Sequence, residues 1–347
     1  MENKAIVDHA EESRLYRQNK IQLKRRQKAR LAQMTEVVLS PPAVGSMSVI
    51  GKRPSMEDEV SIHPNLCAPA INHARPLHFY AIYDGHGGPQ VSALCKERLH
   101  LLLEEELMRS GNNAYMMNGG SSLNREQQRD WEAAWRRVLQ KCFLRMDKMA
   151  SYNCDCGSLG YYCSCPPNSN LSMTGSTAVI AIITDHIIVI ANCGDSRAVL
   201  CRDGVALPLS FDHKPDRRDE FARIKARGGQ LVYSRGLRVQ GVLAMSRAIG
   251  DNYLKPYVIS EPEITFLKRN ISDECLILAS DGLWDVVSNE MACRVARECL
   301  QGDAIFSSQS ESAAALLTRI AMARNSHDNI SVIVVDLTRN QYGESSP

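Results

Sequence analysis

Short apolar runs, each bounded by Asp, Gly or Asn, recur through the chain at His78–Tyr83, Thr177–Ile183, His186–Ala191, Ala198–Cys201, Cys275–Ala279 and Ser331–Val335. Runs of this length and composition predict strands. Thr184-Asp185 and Asp203-Gly204 leave room only for tight turns, so residues 177–207 are expected to form an antiparallel meander and not part of a parallel, doubly wound sheet. A different period marks residues 126–150, where Trp131, Ala134, Trp135, Val138, Leu139, Cys142, Phe143 and Met146 recur at three- and four-residue steps. That stripe reads as the core-facing side of a helix. Similar patterns occupy roughly 89–108, 289–300 and 312–324. Long helices beside antiparallel strands predict a layered α+β domain.

Composition adds little to the fold but narrows the setting. The 347 residues are 44% hydrophobic and 23% charged, ordinary for a globular chain. Residues 1–44 read as a tail closing on Pro41 and Pro42, residues 45–338 as one domain, and residues 339–347 as a C-terminal tail. No apolar run reaches membrane-spanning length and no signal-like stretch opens the chain, which predicts an intracellular protein without membrane contact. The twelve cysteines are then expected to be mostly reduced thiols.

The formal charge of +2 conceals an asymmetry. Residues 14–30 hold eight Lys or Arg and no acid, leaving 33 basic against 39 acidic residues elsewhere, about −6. The run centred on Lys24, Arg25, Arg26, Lys28 and Arg30 reads either as a solvated arm or as a nuclear-import signal, which would place the protein in the nucleus and also in the cytoplasm. No nucleic-acid site is expected, because the folded part is acidic and no aromatics interleave the basic run.

Candidate chemistry lies in where the acids fall. Asp84 follows the run HFYAIY, Asp195 follows HIIVIAN, Asp281 follows CLILAS, and Asp328 precedes SVIVV; Glu57 and Asp58 stand near the start of the domain. Any one Asp-Gly after a strand is an ordinary turn. Several acids at strand ends can converge on one sheet edge. Such oxygen-rich clusters suit hard cations such as Mg²⁺ or Mn²⁺, two of which can share a bridging hydroxide and stabilise displacement at phosphorus.

The phrases MED, YDGHGG, GSTA, NCGDSRAVL, DHKP, SRAIGD, ASDGLWDV and HDNIS, in this order between about Gly51 and Val335, resemble the metal-dependent type 2C protein phosphatases. The resemblance implies a four-layer α-β-β-α sandwich with metals in a cleft at one end. It implies Asp84 bridging two Mg²⁺ or Mn²⁺ ions, the Gly85 carbonyl on one, and Asp281 and Asp328 on the other. Glu57 would hold metal-bound water, with Asp58 supporting that shell. Asp195 and Asp285 match positions that, with Asp281, bind a weak third ion in some relatives. Arg53 would grip the substrate phosphate and His86 would protonate the departing serine or threonine oxygen. No Cys-x₅-Arg signature of a cysteine-nucleophile phosphatase is present.

The stretch GVLAMSRAIGDNYLKPYVISEPE (241–263) is similar to plant group A phosphatases, negative regulators of abscisic acid signalling that act on stress-activated kinases of the sucrose-nonfermenting-related type. A monomer acting on phosphoproteins is implied. Members inhibited by hormone receptors carry a tryptophan where this chain has Ser234. Ser supplies neither the apolar area nor the indole N–H, so weak or absent inhibition by hormone-bound receptors is expected. This departure resembles the germination-associated member of the group. Cys154, Cys156, Cys163 and Cys165 form C-x-C-x₆-C-x-C, which could hold a structural Zn²⁺, although two residues usually separate each pair, or could remain an oxidation-sensitive loop. The competing readings are a pseudophosphatase that binds kinases, another two-metal hydrolase such as a nuclease, and a transcriptional binding module resting on the basic tail.

Overall fold

The computed structural model describes residues 41–110, 125–151, 173–302 and 308–338. The basic run 14–30 and the four-cysteine motif at Cys154, Cys156, Cys163 and Cys165 lie outside the described residues. In chain order the strands are β1 (Val44–Val49), β2 (Glu59–Cys67), β3 (Leu77–Tyr83), β4 (Gly85–His86), β5 (Gly175–Ser176), β6 (Ala178–Ile183), β7 (Ile187–Cys193) and β8 (Arg197–Arg202). They continue as β9 (Val205–Pro208), β10 (Leu231–Tyr233), β11 (Leu237–Val239), β12 (Ile249–Gly250), β13 (Glu263–Lys268), β14 (Asp273–Ala279) and β15 (Ile330–Asp336). The helices are α1 (Gln90–Ser110), α2 (Arg125–Ser151), α3 (Arg218–Ala226), the one-turn α4 (Asp281–Trp284), α5 (Asn289–Gln301) and α6 (Gln309–Ala323).

Two five-stranded antiparallel sheets form the centre, ordered β1-β15-β14-β8-β9 and β13-β7-β6-β3-β2. Because successive strand residues point to opposite faces, each central strand feeds two cores. Tyr80 and Ile82 of β3 meet Leu276 and Leu278 of β14 and Ile333 and Val335 of β15 between the sheets. Phe79, Ala81 and Tyr83 point the other way, into Leu99 and Leu103 of α1 and Trp135, Leu139 and Phe143 of α2. The outer face of the first sheet offers Ile277, Val332 and Val334 to Ala292 and Ala296 of α5 and Leu317 of α6. The result is the expected four layers, α-β-β-α. Burial on both faces explains why the strands read as continuous apolar runs without alternation.

One expectation is corrected. Residues 177–207 are not a single meander. β6 and β7 pair in one sheet, whereas β8 pairs with β14 and β9 in the other. Between β7 and β8 the short link Gly194–Ser196 crosses from sheet to sheet, which pairs β8 with β14 and packs Val199 and Cys201 in the core that holds Ala292 and Ala296 of α5. The strands β1, β2 and β13, which carry fewer apolar positions, were not signalled by apolar runs. β1 opens at Val44, opposite Val335.

The segment between β9 and β13 has its own small core of Ile224, Val239, Leu243, Met245, Ala248, Leu254 and Val258. A buried carboxylate ties it together. Glu220 Oε1 accepts from Arg247 Nε (3.1 Å) and Nη2 (2.6 Å), while Oε2 accepts from Arg223 Nη2 (2.6 Å) and Ser246 Oγ (2.6 Å). Burial alone would raise the Glu220 pKa; Arg247, Arg223 and Ser246 overcome it and hold the carboxyl at about 2. Glu263, 3.4 Å from His213 Nε2 and hydrogen-bonded to Arg217, is likewise held at about 2. Among the described residues no helix is long and apolar enough to cross a membrane, and the eight cysteines carry free thiols.

Two adjacent residues of α2 test the layering. Replacing buried Phe143 by alanine is expected to lower the unfolding free energy by about 3–5 kcal/mol. Replacing Leu144, 51% exposed one position along the helix, is expected to change it by less than about 0.5 kcal/mol, both read from urea titrations. A depressed carboxyl pKa contributes stability that is present above the ordinary value and lost as pH falls toward the folded value. The urea midpoint should therefore fall between the ordinary 4.5 and about 2, and Glu220→Gln should flatten that fall. A variant whose midpoint follows the parent curve throughout would remove Glu220 from this role.

Candidate active site

Strand direction delivers the acids to one place. β3 and β7 run the same way, each antiparallel to β6 between them, so Asp84 and Asp195 leave their sheet at one edge. β14 and β15 are antiparallel, so the end of β14, with Asp281 beyond it, lies beside the start of β15, with Asp328 before it. All four acids line a single cleft of about 500 Å³, together with Glu57, Gly85, His86, Asp285 and Arg53. Asp58 lies beneath, 4% exposed, accepting a 2.8 Å bond from Ser280 Oγ. The two sheets thus bring together the acidic residues singled out in the sequence.

Crowded, desolvated carboxylates resist ionisation. Burial, followed by the charges of Asp58, Asp281, Asp195 and Asp328, pushes the Asp84 carboxyl well above its ordinary range. Burial and then Asp195 do the same to Asp281, and burial raises Asp58 to about 6. Side-chain cations offset part of this charge: Arg53 Nη2 lies 2.6 Å from Asp328 Oδ2, and Lys214 pairs with Asp195 and stands 3.9 Å from Asp281.

Among the described residues no three His, Cys, Asp or Glu side chains are already closed into a coordinating cluster. The acids ring the cleft, some turned to Arg53 and Lys214, instead of converging on one point. Their chemistry nevertheless fits hard divalent cations. The donors are carboxylate oxygens, and Asp58 Oδ1 and Asp195 Oδ1 are buried without any hydrogen-bond partner.

Neighbouring loops are fixed by backbone contacts. Asn329 Nδ2 donates to the carbonyls of Ile50 (2.8 Å) and Ser55 (3.0 Å), while its Oδ1 accepts from Glu57 N (2.8 Å); this holds the loop carrying Arg53 and Glu57 over the cleft. Gly85 N donates to the Glu57 carbonyl (3.2 Å), and a side chain at Gly85 would strike that carbonyl and Ser92. Glu57 Oε2 accepts from Gly88 N at 3.2 Å.

Sequence reading did not assign a role to Asp251. Its Oδ2 lies 2.7 Å from His86 Nε2, and Asp251 is 2% exposed. Burial lowers the His86 pKa, but the charge and hydrogen bond of Asp251 outweigh it, so the imidazole sits above its ordinary value. His86 Nδ1 is buried without a partner. Gly175 accounts for the small residue at the start of GSTA: any side chain there would collide with both Asp251 and His86. Lys214 and Asn329 were also unassigned. All of these residues lie inside the segments SRAIGD, GSTA, DHKP and HDNIS, where no local pattern shows the contacts they make.

Ser234 is exposed at the turn of the β10–β11 hairpin, where its N–H donates to the Gly236 carbonyl at 2.8 Å. It does not line the cleft, whereas Arg235 and Arg238 of the same hairpin do.

The family model for protein phosphatase 2C matches residues 43–330. The chain is 49% identical over 314 residues to probable protein phosphatase 2C 75 of Arabidopsis thaliana, covering 85% of this chain and 73% of that protein. It is 47% identical over 322 residues to protein phosphatase 2C 37 of the same plant, covering 88% and 74%. The crystal structure of serine-threonine phosphatase 2C from Toxoplasma gondii superimposes with a TM-score of 0.67 at 22% identity, covering 86% of this chain and 98% of that one, and supports the fold. A family match across most of the chain, relatives near half identity and a shared sandwich have one conclusion: this chain belongs to the protein phosphatase 2C family and is a protein serine/threonine phosphatase.

Proposed function

We propose that phosphoserine and phosphothreonine are hydrolysed in the cleft between the two sheets, with Mg²⁺ or Mn²⁺ held by Asp84, the Gly85 carbonyl, Asp281 and Asp328. The observation that carries this reading is that those acids and Arg53 line one cleft. Such a family is metal-dependent. Bound divalent ions would neutralise phosphate charge and lower the pKa of water at the site. Two ions are proposed, with Asp195 and Asp285 available to a weaker third; Glu57 and Asp58 steady the ligands.

The protein's own side chains supply the rest. Arg53 forms a planar fork suited to phosphate oxygens, and cations drawing Asp328 toward them would release that fork to the substrate. Asp251 holds Nε2 of His86 and favours its charged form, so that the imidazolium can give a proton to the departing serine or threonine oxygen. No residue need be phosphorylated along the way.

We further propose that the substrates include sucrose-nonfermenting-related stress kinases, and that the enzyme is a monomeric negative regulator of abscisic acid signalling that acts in seed germination, in the nucleus and the cytoplasm. Removing an activation-loop phosphate would release the cations that order such a loop. The resemblance of residues 241–263 to group A supports this placement, and the basic run at Lys24–Arg30 supports nuclear import. The exposed Ser234 supports weak inhibition by hormone-bound receptors. A structural Zn²⁺ at Cys154, Cys156, Cys163 and Cys165 remains a proposal for metal analysis.

Phosphothreonine-peptide hydrolysis should require Mn²⁺, disappear in EDTA, and fall by at least about 10³-fold in Asp84→Ala. Asp251→Asn should lower kcat by about 10–10²-fold with KM little changed. Turnover that survives both chelation and Asp84→Ala would reject the cleft as the reaction site. In a separate assay, stoichiometric hormone-bound receptor should leave most activity intact, and Ser234→Trp should increase inhibition by about tenfold or more. Strong inhibition of the unaltered enzyme would refute the role given to Ser234.

A further inference from the structure

Four side-chain cations face the cleft: Arg53, Lys214, Arg235 and Arg238. Three of them are already engaged. Arg53 pairs with Asp328, and Lys214 pairs with Asp195 and Asp281. Arg238 braces its own hairpin, with Nε donating to the Ser234 carbonyl (3.1 Å) and Nη1 to the Val242 carbonyl (2.7 Å). Arg235 differs. Among the described residues its guanidinium has no hydrogen bond or ion pair, although it lines the same cleft.

Its backbone position is also unusual. β10 and β11 are joined by the three-residue turn Ser234–Gly236, in which Arg235 has φ 51°, the left-handed region favoured by Gly or Asn. A long cation therefore occupies a place where a small turn residue would be less strained, a pattern that points to function. The hairpin is not loose at its base. Val239 at the end of β11 is fully buried in the small core with Ile224, Leu243 and Met245. Arg238 fastens the turn side, so the backbone that carries Arg235 is braced beside the cleft while its guanidinium stays unpartnered.

We propose that Arg235 is a specificity-determining residue that favours phosphoprotein segments bearing a second anionic group, a carboxylate or another phosphate, beside the phosphate being removed. This rests on the reaction taking place in the cleft described above. The planar guanidinium offers paired N–H donors that match carboxylate and phosphate oxygens. The group is exposed, so the gain is modest and salt-sensitive, about threefold to tenfold in kcat/KM. Arg53 then grips the scissile phosphate while Arg235 reads its neighbour. The role is one of selection, not catalysis.

The test uses the full chain with Mn²⁺ and three phosphothreonine peptides of one sequence: neutral flanks, Glu in the flanking positions, or a flanking phosphoserine. The unaltered enzyme should prefer the anionic peptides by about threefold to tenfold in kcat/KM, less so at high salt. Arg235→Ala should bring that ratio to about one, and Arg235→Glu should take it below one. Each ratio compares two substrates on one enzyme, so a variant with reduced overall activity still reports. A gain confined to the phosphoserine peptide identifies phosphate as the group read, and an equal gain with Glu identifies any anion; both support the proposal. A ratio near one in the unaltered enzyme, or a preference that persists in Arg235→Ala, overturns it. Asp84→Ala is assayed in parallel: if it is inactive, such a result counts against Arg235 alone, whereas turnover by Asp84→Ala overturns the cleft reading and the Arg235 proposal with it.

Discussion

The constraint on which the site depends is the cost of crowding buried carboxylates at a shared sheet edge. Asp84, Asp195 and Asp281 leave separate strands into one cleft, over Asp58, where each desolvated charge raises the cost of ionising the others. A fold selected only for stability would disperse them. Here the four-layer core holds the strand ends in place, and partial neutralisation comes from Arg53 and Lys214. Two side-chain cations against this many acids leave a deficit of positive charge, most visible at the unpartnered oxygens of Asp58 and Asp195. That deficit is the physical basis for placing divalent ions in the cleft, and for assigning Arg53 to a phosphate that arrives with them.

Small residues let this charged edge be built at close quarters. Gly85 allows the chain after β3 to pass against the Glu57 carbonyl, and Gly175 leaves room for Asp251 to reach His86. In both cases the glycine matters because of the atoms beside it. The Asp251–His86 contact shows how a phrase outside the acidic set shapes the site: a carboxylate on one nitrogen raises the imidazole's pKa while the other nitrogen is left without a partner.

Much of this was legible in the sequence because its signals are local. The apolar runs located β3, β6, β7, β8, β14 and β15, and the helical stripe from Trp135 to Met146 located the buried face of α2. The acids could be read as strand-end residues before any coordinates. The sheet assignment could not. Gly194–Ser196 is as short as a hairpin turn, and only the competing packing demands of the two cores send β8 to the opposite sheet. Asp251 was equally opaque, since its partner lies 165 residues away and no local pattern couples the two. Arg53 stood out only through the family resemblance, and its contact with Asp328, 275 residues away, had no local signal.

The β10–β11 hairpin joins these two kinds of information. Its base is held by ordinary burial around Val239 and Leu243, and by the Glu220 carboxylate shared among Arg223, Arg247 and Ser246. That anchoring frees the turn itself from any structural duty except closing the chain. Residues at such a tip can change without unfolding the domain, while remaining beside the acidic cleft. Ser234 at the outer side and Arg235 at the cleft side occupy neighbouring positions with different exposures to partners: one faces whatever docks on the surface, the other whatever enters the site. A rigid acidic edge with a tolerant, well-anchored turn beside it separates the two demands: the cores fix the strand ends that carry the acids, while the residues at the turn are held only through the base of their hairpin.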